Sequence, residues 1–567
     1  MRLKNSNILE VGLSGGDELR RRISILFTVV ALLLLMHSII TARFEVGDWG
    51  LVHGLPVTFF IALALLITAS ALLWVSTEKQ TKLLSLQIIT IIMSLAMVPL
   101  ITGGSISYIN HGYRNLGYVE YIVRQGHFDT SFTFYLSWPG AFILPSIVTK
   151  LCQLDYASLI EVLPAFIPII SLLPLYIFLK NTLGESRIKY ILAGCLIYFL
   201  AGGSGAGNII SAMGTATVLL IILMALITDR RIWHSEGDSR PVILIIMIIF
   251  TAIVMSHLLT SLAALAIIGA LALFRRDIRL VWVTIGCLAI LLAWNLTVAG
   301  DYLIPKLPFI GEGKFIFSLD ILTEREVTGH LVGTGSHADV ATVRVFHAAL
   351  FLLTGFAGFI SSLVVKRDLK ATVSLAVITL IPIPLAVLSG YYAQEIITRI
   401  YGFIMPGIAY FSTRLFDINK KLVAVVICLL LILAVPMKLV SAYGNQEFDY
   451  ISPAQRAGTD FFHAETNQGM VFGAWPLGDA KNTENYTNFE LHLLRWDENR
   501  IPTPVWLIEY GYEKFYIGIN RQNRADYEWI KEDPEFITDM KEQLQNTLNA
   551  NLLYYNPDLS VYVFYDD

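Results

Sequence analysis

Eight side chains able to hold or move charge fall in the twenty residues of NHGYRNLGYVEYIVRQGHFD: Asn110, His111, Tyr113, Arg114, Glu120, Arg124, His127 and Asp129. Guanidinium groups grip phosphate through two parallel hydrogen bonds, so Arg114 and Arg124 suit a phosphorylated ligand, with Asn110 beside them. A carboxylate or imidazole held near an acceptor hydroxyl acts as general base. Glu120, Asp129 and His111 are the candidates for that role. The plainer alternative is that these groups only solvate a helix lying on a membrane surface.

A second set lies farther along. The segment 300–341 carries Asp301, Glu312, His330, His337 and Asp339, and Arg344 follows. GHLVGTGSHAD within it is glycine-rich, which suits a mobile loop closing over a site. The spacing of His330 and His337 is too wide and its surroundings too flexible to define a metal pair on its own. Inside apolar runs stand His257, in MSHLLTSL, and Tyr392, Glu395 and Arg399, in SGYYAQEIITRIYGF. Charged side chains are costly in hydrocarbon and mostly face a bundle interior or cavity. Glu395 and Arg399 are also spaced to form an ordinary ion pair along one helix face. AGGSGAGN, 201–208, reads as a tight turn.

The elements that must position these groups are membrane spans. The chain has 567 residues, 55% hydrophobic and 15% charged, a composition outside that of ordinary soluble domains. A hydrocarbon core ~30 Å thick needs about 20 apolar residues per helix. About thirteen segments qualify: 23–41, 54–75, 83–102, 157–179, 188–203, 211–228, 241–256, 257–274, 280–299, 342–365, 371–389, 400–415 and 421–440. With this numbering the basic N-terminus and the loops STEKQTK, KNTLGESRIK, TDRRIWHSEGDSR, FRRDIR, VKRDLK and STRLFDINKK all share one side, the cytoplasmic one. The piece LSWPGAFILPSIVTK, 136–150, must then not cross. Pro139 and Pro145 each remove a backbone donor, and a re-entrant or interfacial segment is expected. The segments 104–156 and 300–341 and the tail face outward, and 110–129 forms a short amphipathic helix at the interface.

Charge divides the chain near residue 441. Residues 1–440 hold 24 acidic and 32 basic side chains, a net of +8, whereas 441–567 hold 21 and 9, a net of −12. The tail reads as a soluble α/β domain. Ser452 is placed to cap a helix with Pro453 at its first position. Strands are expected at GMVFGAW, VWLIEY and KFYIGI, followed by a polar helix over 524–549 broken near Pro534. A closing hairpin turns at Asn556, Pro557 and Asp558. The four cysteines, Cys152, Cys195, Cys287 and Cys428, lack metal or disulfide spacing and read as packing residues.

With NHGYRNLGYVEYIVRQGHFD and FYLSWPGAFIL in the first outer loop, SHLLT on a later helix, ITRIYGFIMPGIAYF near the end of the bundle and YISPAQRAGTDFF opening the tail, the chain resembles the GT-C superfamily of polytopic membrane glycosyltransferases. Among these, the oligosaccharyltransferase and protein mannosyltransferase types are most similar. The resemblance implies an α-helical polytopic bundle of about thirteen spans with a C-terminal extracytoplasmic α/β domain. It also implies transfer of a sugar from a polyprenyl-phosphate-linked donor in the lipid bilayer to a glycan, lipid or protein acceptor on the outer face, with no nucleic acid involved. Glu120, Asp129 or His111 would then serve as base. Asn110, Arg114, Arg124, His257, His337, Arg344, Tyr392, Glu395 and Arg399 would bind substrate, the arginines taking the donor phosphate. Members usually carry an acidic residue in the first outer loop, and Asn110-His111 stands there instead. AGGSGAGN likewise lacks the acids that oligosaccharyltransferases use for a divalent metal, so no cofactor is expected. A lipid-linked glycan flippase or exporter, a glycan polymerase or ligase using His337 and Arg344, and a catalytically degenerate GT-C-like protein remain as alternatives.

Overall fold

The computed structural model describes residues 5–565 apart from 46, 48, 78–79, 103–108, 155, 203–210, 230–232, 234–238, 307–335, 367–368, 381–395, 446–449, 467–468, 474–488, 493–513, 530–532 and 547–549. Its first part is helical: α1 (Asn5–Thr41), α2 (Val57–Val75), α3 (Thr81–Ala96), α4 (Val98–Ile101), α5 (Ile109–Gln125), α6 (Gly140–Cys152), α7 (Tyr156–Leu183), α8 (Ile188–Ala201) and α9 (Ala212–Thr228). There follow α10 (Arg240–Ser256), α11 (Leu258–Arg275), α12 (Ile278–Thr297), α13 (Gly300–Leu303), α14 (Ser336–Ser361), α15 (Leu369–Leu380), α16 (Ile396–Arg414) and α17 (Lys420–Tyr443). Among the described residues, 7 helices are long and apolar enough to cross a membrane, and α3, α6, α9 and α10 are shorter apolar helices. The chain is a multi-pass membrane protein.

Two apolar cores run through the bundle. One joins α1, α2, α3, α8 and α17 around Phe59, Trp74, Ile91, Leu196 and Leu431. The other joins α7, α9, α10, α11 and α12 around Phe178, Leu220, Phe250, Ile267 and Leu280. One polar cluster within the first core is closed by its own hydrogen bonds, as hydrocarbon favours. Gln87 of α3 donates to Ser24 Oγ at 2.9 Å and Thr28 Oγ1 at 2.8 Å of α1, and accepts from Ser70 Oγ of α2 at 3.1 Å. Helices α14 and α16 meet backbone to backbone: a Cβ on Gly358 would lie 1.9 Å from the Phe411 carbonyl oxygen.

The helix breaks follow local chemistry. His257 ends α10 and caps α11, its side chain accepting from the Thr260 N–H. Asp277, Asn419 and Ser211 cap α12, α17 and α9 in the same way. The expected interruption between 256 and 257 is therefore a cap. The segment 136–150 holds a 13-residue helix, α6, with Pro145 inside it. At ~1.5 Å rise per residue it is shorter than the hydrocarbon core is thick, and the prolines do not prevent a helix.

After α17 the chain forms α18 (Pro453–Glu465), β1 (Gly469–Gly473), β2 (Phe489–His492), β3 (Lys514–Asn520), α19 (Arg521–Trp529), α20 (Phe536–Asn546), β4 (Ala550–Asn556) and β5 (Leu559–Tyr565). The strands make one sheet in the order β2-β1-β3-β5-β4. β1 runs parallel to β2 and β3, while β3, β5 and β4 are antiparallel. Alternating side chains give the sheet two apolar faces. Tyr516, Val561 and Val563 meet Phe462 of α18 on one face. Ile517, Ile519, Tyr562 and Phe564 meet Tyr527, Ile537, Met540 and Leu544 of α19 and α20 on the other. Ser452 caps α18 through the Gln455 N–H at 3.0 Å, and the closing hairpin turns at 557–558 as read from the sequence. The polar helix over 524–549 is two helices, and FELH forms a strand that the sequence reading missed. VWLIEY lies outside the described residues.

Candidate functional site

The segment 109–152 folds as a platform. On α5 the apolar residues Leu116, Tyr118 and Val119 pack with Leu136 and with Phe142 of α6. Ser146 Oγ of α6 donates to the Val119 carbonyl at 3.2 Å. Trp294 Nε1 of α12 donates to the Ser137 carbonyl at 3.0 Å, and Phe134 stacks on Tyr302 with centroids 5.0 Å apart. Helix α6 begins against the end of α10, since a Cβ on Gly140 would sit 2.6 Å from Ser256 Oγ. The platform thus lies on the turn that contains His257.

Glu120 is an acidic residue that this platform buries. It is 8% exposed, and Arg124, one turn on, holds its Oε1 at 2.5 Å. Burial raises the Glu120 carboxyl above the ordinary carboxylate range and outweighs the pull of Arg124. The charges of Asp460 and Arg456 on α18 also bear on it, so the first helix of the tail stands close to α5. Burial raises the Asp460 carboxyl as well, with Arg456 opposing. A half-hidden carboxylate above its ordinary range, beside a guanidinium at the bundle's end, has the properties of a general base.

Asp129 differs. Its Oδ1 accepts from the N–H of Ser131 at 2.8 Å and from Ser131 Oγ at 2.7 Å. These bonds hold its carboxyl below the ordinary range and make it a turn-forming group with weak basicity. Asn110, His111 and Arg114 lie in the first two turns of α5. Tyr392 and Glu395 lie outside the described residues, as does the proposed pairing of Glu395 with Arg399, which itself falls in the first turn of α16. His257 has a structural task, its Nδ1 lying 2.8 Å from Thr260 Oγ1.

The second set gathers elsewhere. The sequence reading put His337 in a mobile glycine-rich loop, whereas α14 begins at Ser336 and His337 is buried in its first turn. Helix formation extends two turns ahead of the apolar run because Asp339 favours the positive N-terminal end. Arg344 donates from Nε to the Ser441 carbonyl at 3.2 Å and from Nη2 to the Gly444 carbonyl at 3.4 Å. It closes the end of α17. Nearby are two residues that sequence reasoning missed, His347 of α14 and Lys438 of α17, both buried. Lys438 Nζ donates to the Gly202 carbonyl and lies 5.0 Å from the Phe199 ring centre. The signal was present: a lysine inside AVPMKLVSAY is an intramembrane charge, which by default marks function. The structure therefore brings together Glu120 and Arg124 on the platform, and Arg344, His347 and Lys438 at the end of α14 and α17. Among the described residues, no group of three or more His, Cys, Asp or Glu is arranged to hold a metal ion.

No family model matches the chain, and no curated protein sequence does. Solved structures do. The archaeal oligosaccharyltransferase AglB from Archaeoglobus fulgidus, in complex with an inhibitory peptide and a dolichol-phosphate, aligns with a TM-score of 0.54 at 13% identity, over 81% of this chain and 72% of that one. A crystal structure of the Archaeoglobus fulgidus oligosaccharyltransferase with zinc and sulfate gives 0.51 at 13% identity, over 83% and 72%. A third, tethered to an acceptor peptide through a disulfide, gives 0.50 at 14%, over 84% and 73%. Over most of its length the chain is thus similar in fold to archaeal oligosaccharyltransferases, a helical membrane bundle with a small C-terminal sheet.

Proposed function

We propose that the protein is a membrane glycosyltransferase that moves a sugar from a polyprenyl-phosphate-linked donor to a glycan, lipid or protein acceptor on the outer face of the membrane. The observation that carries this reading is Glu120, a carboxylate buried against Arg124 on the platform of a GT-C-like fold. The oligosaccharyltransferase that aligns with the chain is itself in complex with a dolichol-phosphate and a peptide, which supports a lipid-phosphate donor here. The reading includes about thirteen crossings, a cytoplasmic N-terminus, a bundle of residues 1–440 and an outward domain of 441–567.

In this reaction Glu120 takes the proton from the acceptor as the acceptor atom bonds to the anomeric carbon. The bond from that carbon to the phosphate oxygen breaks, and its electron pair leaves with the polyprenyl phosphate. Arg114, Arg124, Arg344 and Arg399 supply positive charge to the leaving phosphate. His111 and Asp129 are the weaker candidates for base, the latter because its carboxylate is committed to Ser131.

Glu120→Gln tests the reading. With purified protein and a polyprenyl-phosphate sugar, kcat is expected to fall by about 10²-fold or more while the variant still reaches the membrane. Transfer at the wild-type rate would remove Glu120 from the mechanism.

A further inference from the structure

Two cations sit at the end of α14 and α17 with no acid among the described residues to balance them. Among the described residues, neither Arg344 nor Lys438 pairs with a carboxylate, and the groups they contact are backbone carbonyls and the Phe199 ring. Lys438 is 7% exposed. An unbalanced cation removed from water is unfavourable unless a counter-charge is supplied. The end of α8 at Gly202 offers about half a negative charge, against two full positive ones.

The same seam holds buried polar atoms with nothing to bond. His347 Nε2, Ser441 Oγ and Asn445 Oδ1 have no hydrogen-bond partner, and their residues are 1%, 1% and 4% exposed. Arg344 and His347 are three apart on α14, as Lys438 and Ser441 are on α17, so each pair shares a helix face. The two faces meet, since Arg344 reaches the Ser441 carbonyl and the charge of Lys438 bears on His347. An unused buried hydroxyl and other unpartnered polar atoms beside these cations describe a polar site able to take an anion.

We propose that Lys438, Arg344 and His347, with Ser441, form a binding site for a phosphate group between α14 and α17. Lys438 and Arg344 supply charge, the Ser441 hydroxyl donates a hydrogen bond, and His347, whose ring already bonds the Leu200 carbonyl, presents Nε2 to accept from a phosphate O–H. The expectation that the phosphate is carried by a polyprenyl lipid rests on the function proposed above, while the site itself rests on the seam.

The test uses the full chain in nanodiscs, with farnesyl phosphate, inorganic phosphate and farnesol as probes, read by calorimetry. Farnesyl phosphate is expected to bind, Lys438→Gln to weaken it about tenfold or more, and Lys438→Arg to restore most of it. His347→Phe provides a second loss should Lys438→Gln unfold, and each variant is checked by its thermal transition. Lys438-dependent binding of inorganic phosphate as tight as that of farnesyl phosphate would support the site and assign it to free phosphate. Farnesyl phosphate bound equally by wild type, Lys438→Gln and His347→Phe would overturn it, as would farnesol bound as tightly as farnesyl phosphate. Normal transfer by Glu120→Gln would sink the earlier reading and leave this one standing.

Discussion

At the scale of single residues, the pairing of Glu120 with Arg124 makes a prediction with a sign. A general base must be ionised, so transfer falls as pH drops through the carboxyl's raised pKa, and the acidic limb of the rate profile lies above the ordinary glutamate value of about 4.3. Arg124 opposes that rise through its charge and its hydrogen bond. Arg124→Ala is therefore expected to move the acidic limb to higher pH, which a pH–rate profile in a purified assay measures. An unmoved limb would mean that another group sets it. The sequence named Glu120 and Asp129 together, because composition places both in one polar stretch. It could not separate them, since the difference lies in Ser131 donating twice to Asp129 while Glu120 is buried. Lys438 and His347 escaped notice because the sequence reading sought polar chemistry in the outer loops, where solvation makes it common.

At the scale of elements, the bundle depends on close backbone contact as well as apolar burial. Gly358→Ala is expected to destabilise the protein by about 1–3 kcal/mol, the usual cost of forcing a methyl group into a filled core. A lowered thermal transition in detergent would register it, and an unchanged one would show that α14 and α16 separate easily. The seven helices that are long and apolar enough to cross were legible from apolar length, as was the break before His257. Short elements were harder. α6 forms a helix across Pro145 because its N-terminal half packs on α5, and tertiary contact of that kind leaves no local mark. FELH forms an edge strand by pairing with β1, a non-local partner that four residues do not announce.

At the scale of the whole molecule, orientation is open to a direct test. Cys152 is exposed at the end of α6, whereas Cys195, Cys287 and Cys428 are buried. A membrane-impermeant maleimide added to intact cells is expected to label Cys152 alone; labelling only after permeabilisation would invert the assigned topology. The exposure of Cys152 also corrects the expectation that every cysteine is a packing residue. The shift from a net of +8 to −12 near residue 441 marked the passage from bundle to tail, and α17 ends two residues beyond it. The nearness of the tail to α5, felt at Glu120 as the charges of Asp460 and Arg456, was invisible because it joins residues more than three hundred positions apart.

The contact of Gly358 with the Phe411 backbone also limits how the molecule opens. Helices packed at main-chain distance travel as one body, so Arg344 on α14 and Arg399 on α16 keep a fixed separation. The platform is seated at main-chain distance too, since a Cβ on Gly140 would lie 3.0 Å from the Met255 carbonyl carbon, so any widening of the bundle has to fall between these two rigid contacts.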